Sequence, residues 1–248
     1  MSGPLTPDGA SATSDGFAST VWSLVLAAGK ADGDGARALE RLCRKHWRPI
    51  YVFIRRSGLS PADAEDLTQE FFVYLFEKGW IRRADPSRGS FRAFLLTLLR
   101  NYLANERRVR QADKRLGLAA AVSFDAADGE RELAALPSSG SDPAIAYEVA
   151  WARGLLEAAW SRLSAEQEVA GKTAAFEALR PYITESPAAG EYERLSVALG
   201  CRRGQVALLI HRLSRRFAEL IRAEVAETLA DRSELEVELR HLFELSSR

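Results

Sequence analysis

From about Phe17 onward, apolar residues recur at every third or fourth position between glycine and proline breakers. That period puts apolar side chains on one stripe of an α-helix, and a chain built from such stripes has to pack helix on helix. FASTVWSLVLAAG is one predicted helix. GARALERLCRKHWRPIYVFIRRSG is a longer one, with Leu39, Leu42, His46 or Trp47, Ile50 and Ile54 as its stripe. SGLSPADAEDL then reads as a helix start, with Ser60 as N-cap, Pro61 at the first position and acids in the first turn. The helix DAEDLTQEFFVYLFEKG follows, presents Leu67, Phe71, Tyr74 and Leu75 to a core, and stops at Gly79. RRADPSRGS is turn-forming, and Ser90 can cap a long helix through FRAFLLTLLRNYLANERRVRQADKRL. The expected fold class is all-α.

The 63–79 helix has a second edge. Asp63, Asp66, Gln69 and Glu70 face away from the apolar stripe, and Asp63 and Glu65 also suit the helix dipole. Gln69 and Glu70 lie further inside, where the dipole explains less. The 91–116 helix changes character along its length. Phe91, Phe94, Leu95, Leu98, Leu99 and Leu103 are core material, after which Asn101, Tyr102, Asn105, Arg107, Arg108 and Arg110 make a basic, amide-rich surface. Arginines neutralise phosphate, amides reach base edges, and an aromatic ring stacks on an unpaired base.

Net charge is zero over the 248 residues, but the charge is segregated. Residues 88–115 carry a net +6 and residues 202–222 a net +5, whereas the tail from Ala223 carries −4. Two basic stretches joined through acidic chain suit a protein that touches a polyanion in two places. Residues 120–143 are rich in Ala, Ser, Gly and Asp without a sustained period, and read as a tether. Beyond it, EYERLSVALG, CRRG and QVALLIHRLSRRFAELIRAEVAETLA form a short helix, a glycine turn and a long basic helix, the helix-turn-helix order. Leu195, Val197 or Ala198, and Leu199 should pack against Val206, Ile210 and Leu213.

Cys43 and Cys201 match no zinc or CxxC spacing, and His46, His211 and His241 stand apart with no paired nucleophile. GDG at 33–35 lacks the strand and lysine of a phosphate loop. No enzyme activity, metal or cofactor is expected. With no signal peptide or spanning segment in the pattern, a cytoplasmic location without membrane insertion is the expectation.

DAEDLTQEFFVYLFEK, DPSRGSFRAFLLTLLRNYLANERRVR and GCRRGQVALLIHRLSRRF together resemble a bacterial sigma-70 family RNA polymerase sigma factor of the extracytoplasmic-function class. Residues 1–16, small and polar, should be disordered, and the resemblance implies a region 2 helical bundle at 17–117 and a flexible linker at 118–143. It further implies a region 4-like helix-turn-helix domain at 144–230, while 231–248 is an acidic extension beyond the family pattern. It implies core RNA polymerase (the β′ coiled coil and the β subunit) and promoter DNA as partners, with an anti-sigma factor or other regulatory protein as a further one. Asp63, Asp66, Gln69 and Glu70 match the polymerase-binding positions. Asn101, Tyr102, Asn105, Arg107, Arg108 and Arg110 fall in the −10-reading helix, and Arg202, Arg203, Gln205, Arg212, Arg215 and Arg216 in the −35-binding segment.

The sequence also departs from the pattern. After Val206 stand Ala207, Leu208 and Leu209 where polar readers are usual, so −35 contacts should rest on phosphates and shape, with Gln205 the one amide near a base edge. At least one of Arg212, Arg215 and Arg216 should meet phosphate or an acid of the 224–238 segment. The segment holding Trp151 and Trp160 is longer than the family's. A stand-alone helix-turn-helix regulator, or a helical polymerase-binding adaptor without DNA contact, remain open alternatives.

Overall fold

The computed structural model describes residues 33–85, 89–110, 125–136, 142–229 and 231–246. The expected disordered segment 1–16, the helix FASTVWSLVLAAG, the continuation of the long helix past Arg110, and most of the expected linker lie outside these. The described residues are helical throughout, with no strand among them.

The first domain is built from α1 (Gly33–Arg56), α2 (Pro61–Glu77), the single turn α3 (Trp80–Arg83) and α4 (Phe91–Arg110). Local chemistry fixes the joints. Ser60 is the N-cap of α2, its Oγ accepting from the Asp63 backbone N–H, and Pro61 opens the helix. Gly79, at φ +63°, takes the left-handed conformation that ends α2 and starts α3, a backbone position costly for any residue with a Cβ. Ser90 Oγ accepts from the Ala93 N–H at the start of α4. Leu42, Ile50 and Ile54 of α1, Leu67, Phe71 and Leu75 of α2, and Phe91, Leu95 and Leu99 of α4 fill one core.

His46 is buried in that core against the edge of the Phe91 ring, and burial pushes its imidazole down to about 3. Among the described residues, neither ring nitrogen has a hydrogen-bond partner. Cys43 is wholly buried nearby, and burial pushes its thiol up to about 12. Both residues pack; neither is poised for chemistry. Among the described residues, no three His, Cys, Asp or Glu side chains are grouped to hold a metal ion, and no helix is long and apolar enough to cross a membrane.

The second domain comprises α6 (Pro143–Val169), α7 (Thr173–Leu179), a 3-10 turn (Arg180–Tyr182), α8 (Glu191–Ala198), α9 (Arg203–Thr228), a further 3-10 turn (Arg232–Glu234) and α10 (Leu235–Ser246). Leu155 and Leu163 of α6, Phe176 of α7, Leu195 of α8, and Val206, Ile210, Phe217 and Leu220 of α9 share its core. The C-terminal extension is part of this domain: Leu239, Leu242 and Leu245 of α10 are buried in the same cluster.

The two domains are packed together along α1 and α6. Ala144 and Tyr147 of α6 lie in the first core, and Val52 of α1 lies in the second. Charged pairs edge the seam: Arg48 with Glu157 at 2.7 Å, and Lys45 with Glu224 and Glu227 at 3.7 Å each.

The expected tether is corrected in its middle. Ala126–Ala134 forms a helix, α5, capped by Asp125, whose carboxylate accepts from the backbone N–H groups of Ala127 and Asp128. This helix docks on α1. Glu130 accepts from the Tyr51 hydroxyl (2.6 Å) and from Arg55 Nε (2.5 Å), while Arg48 pairs with Asp128. The Arg55 hydrogen bond holds the Glu130 carboxyl below the usual carboxylate range. Gly129 is the contact point: a Cβ there would stand 2.6 Å from the Tyr51 ring. Substituting Gly129→Ala should therefore undock α5, although Ala favours a helix by about 1 kcal/mol over Gly. Hydrogen exchange is expected to rise across 125–136 with the cores unchanged; unchanged protection would show that docking tolerates the methyl group.

Candidate polymerase and promoter interfaces

The polar edge of α2 divides in two. Asp63 and Asp66 are exposed, and Asp63 Oδ2 accepts from the Ser60 hydroxyl at 2.6 Å, so one carboxylate is held rigidly at the helix start. Gln69 and Glu70 are half-buried, and Glu70 Oε2 accepts from the Tyr102 hydroxyl of α4 at 3.2 Å. Asp63 and Asp66 thus present their carboxylates at the surface, while Glu70 couples α2 to α4.

On α4 the outer face is Thr97, Arg100, Asn101, Ala104 and Asn105, all exposed. Tyr102 is not on it. The ring is 6% exposed, set between Phe71 and Tyr74 at centroid distances of 5.5 and 5.1 Å. This corrects the expectation of a ring open for base stacking, because the stripe through Leu95, Leu98 and Leu99 continues one turn on to Tyr102. Arg107, Arg108 and Arg110 stand on the last turns of α4, and their side chains lie outside the described residues. Arg92, one of the basic residues behind the net charge of 88–115, is buried. It lies on the helix line Leu96, Leu99, Leu103, a spacing that could have signalled burial.

In the second domain, α8 and α9 meet at Gly200, at φ +61°, with Leu195 buried against the Val206, Ile210 and Leu213 stripe and Leu199 packed beside it. Val197 is 79% exposed and Ala198 is exposed as well, so neither joins the core between α8 and α9, where packing was expected of one of them. The first turns of α9 display Arg202, Arg203, Gln205, Ala207, Leu208, His211 and Arg212. Leu208 is 46% exposed, whereas Leu209 packs against the core.

Gln205 has a local task. Its Oε1 accepts from the Arg202 backbone N–H at 2.8 Å, satisfying a donor left open at the helix start. This revises its reading as an amide free for a base edge. Gln205→Ala should cost about 1 kcal/mol of stability through the lost cap, read as a lower thermal midpoint. A midpoint equal to wild type would dismiss the capping role.

Arg215 pairs with Glu219 at 3.2 Å; Arg216 pairs with Glu219 at 3.1 Å and with Glu166 of α6 at 2.7 Å. The Arg216 hydrogen bond holds the Glu166 carboxyl below its ordinary value. The acids these arginines meet therefore lie outside the 224–238 segment expected to supply one. Arg222, further along the same helix, does pair with that segment, at Glu236.

Arg202 and Arg203 cap the positive end of the α9 dipole, where cations are disfavoured by a few tenths of a kcal/mol or more. Among the described residues, Arg203 has a ring contact, 5.8 Å over Tyr192, and no carboxylate partner. Cations placed against the dipole are stabilised when an anion lies between them and the exposed backbone N–H groups.

Residues 42–113 match the family model for Sigma-70 region 2, a span taking in most of α1 and all of α2, α3 and α4. The match covers less than a third of the chain; over that span the chain is similar to region 2 of sigma-70 family sigma factors, which are non-enzymatic transcription initiation factors. The second domain lies outside the matched residues. No curated protein and no solved structure matches the chain.

Proposed function

We propose that this chain is a sigma factor of the extracytoplasmic-function class, which binds core RNA polymerase, directs it to the −10 and −35 elements of promoters, and supports DNA melting and initiation. The single observation that supports this most is the region 2 match, which spans the helices that display the Asp63–Asp66 edge and the Asn101–Asn105 face. On this reading Asp63 and Asp66, with Gln69 and Glu70 behind them, dock on a basic surface of core polymerase through charge-assisted pairs. Asn101 and Asn105 read bases of the non-template strand as it unstacks, and Arg107, Arg108 and Arg110 hold its phosphates. The exposed start of α9 lies against the −35 duplex, where Arg202, Arg203 and Arg212 bind phosphate and the dipole adds to the attraction. Arg215 and Arg216 join them only on leaving their carboxylates. The chain itself then carries out no chemical step; differential binding of single-stranded over duplex DNA does the work.

The test is reconstitution of the full chain with core polymerase on a genomic DNA library, mapping transcription starts. Defined starts that depend on the chain are expected. A chain that binds core yet directs no start would overturn the reading in favour of an adaptor, and tight duplex binding without core would favour a stand-alone regulator.

A further inference from the structure

Arg92 belongs to the first domain but its guanidinium is buried in the second. The residue is 9% exposed, and Tyr147 of α6 donates a hydrogen bond to its backbone carbonyl at 3.2 Å. The guanidinium pairs with Glu148 of α6 and, at 2.7 Å, with Glu238 of α10. It lies 4.3 Å over the Trp151 ring, and its Nη1 is 3.3 Å from His241 Nε2. Two walls of this socket come from α6; the third, Glu238 and His241, comes from the C-terminal helix.

A cation taken this far out of water is costly unless paired, and removing one partner of such a group destabilises far more than removing an exposed one. The penalty exists only while the domains are closed, because a separated first domain returns Arg92 to solvent. The carboxylates of the socket therefore act on the closed form specifically. Leu239, Leu242 and Leu245 hold α10 to the second domain independently of Arg92, so the helix can keep its place when the cation leaves.

We propose that α10 is a latch: with Glu148 it completes a socket that captures Arg92 and adds to the α1–α6 seam in holding the two domains closed, so that withdrawal of Arg92 shifts the balance toward their parting. The latch itself stands on this geometry alone. Its bearing on transcription rests on the sigma-factor reading, in which the domains must engage two separate promoter elements.

The experiment measures the distance between the domains in the full chain without polymerase. Spin labels on cysteines introduced by Thr97→Cys and Val169→Cys, both exposed positions, in a Cys201→Ser background report it. Glu238→Ala is expected to raise the ratio of open to closed chains by about tenfold or more, the factor that follows from one lost charged hydrogen bond, with helical content unchanged. Should Glu238→Ala loosen α10 itself, Glu148→Ala removes the other carboxylate from a helix that does not depend on α10, and the same opening is expected. Distance distributions equal to wild type in both variants overturn the latch. A failure of the sigma-factor reading would appear separately, as absent starts with core polymerase while the distance change persists.

Discussion

Reversing both exposed acids of α2, Asp63→Lys with Asp66→Lys, is expected to weaken binding to core polymerase by about a hundredfold, on the order of 1 to 2 kcal/mol for each charge-assisted pair. The expectation rests on the proposed docking of this edge. Asp63 is held at the helix start by the Ser60 hydroxyl, so its charge is presented without a large loss of side-chain freedom. Because the Asp63→Lys change also forfeits that hydrogen bond and opposes the helix dipole, Asp66→Lys alone is the cleaner arm and should give about tenfold. Titration of labelled chain against core polymerase measures it, with circular dichroism as the check on the fold. Affinity unchanged in the double variant would place the polymerase contact elsewhere.

The second large effect is on stability and depends on pH. His46 is neutral in the folded protein, with its proton affinity pushed down to about 3 by burial, against an ordinary value of 6.5. Between those limits the unfolded chain binds a proton that the folded chain refuses, so stability is intact above about pH 6.5 and falls as pH drops toward 3. At around pH 4.5 the loss should be about 2 to 3 kcal/mol. His46→Leu, close in volume and without polar atoms, should abolish this early part of the acid limb. It should also relieve the two unpartnered ring nitrogens. Carboxylates with lowered proton affinity, such as Glu130 and Glu166, add their own acid sensitivity only further down. Denaturant midpoints across that pH range decide the matter. Parallel curves for wild type and variant would mean that His46 does not set the slope.

What can be read from the amino acids is whatever local chemistry decides. Ser60-Pro61, Gly79 and Ser90 mark helix ends by capping and backbone freedom, and they lie where the structure starts and stops α2 and α4. The stripes of α1, α2 and α4 follow from their spacing. Reading fails where a distant neighbour decides. Nothing in AADGERELA has the period of a stable helix; α5 forms against α1, with Gly129 leaving room for the Tyr51 ring. The chemistry of Tyr102 argues for an outward ring, although its spacing places it in the core. Gln205 has the same residue type whether it reads a base or caps a helix, and only the bond to Arg202 distinguishes them. The buried pairing of Arg92 could not be read from its neighbours, because the carboxylates that hold it are far away in the chain.

Val52 and Tyr147 each sit in the core of the domain to which they do not belong by sequence. The border suggested by composition is therefore a feature of the chain and not of its thermodynamics. While closed, the two halves should melt in a single cooperative transition, since losing either core strips a wall from the other. A fragment beginning at Asp142 would present Tyr147 and the α1-facing side of α6 to water. Such fragments should self-associate, and a region studied in isolation would report the behaviour of that bare face as much as its own.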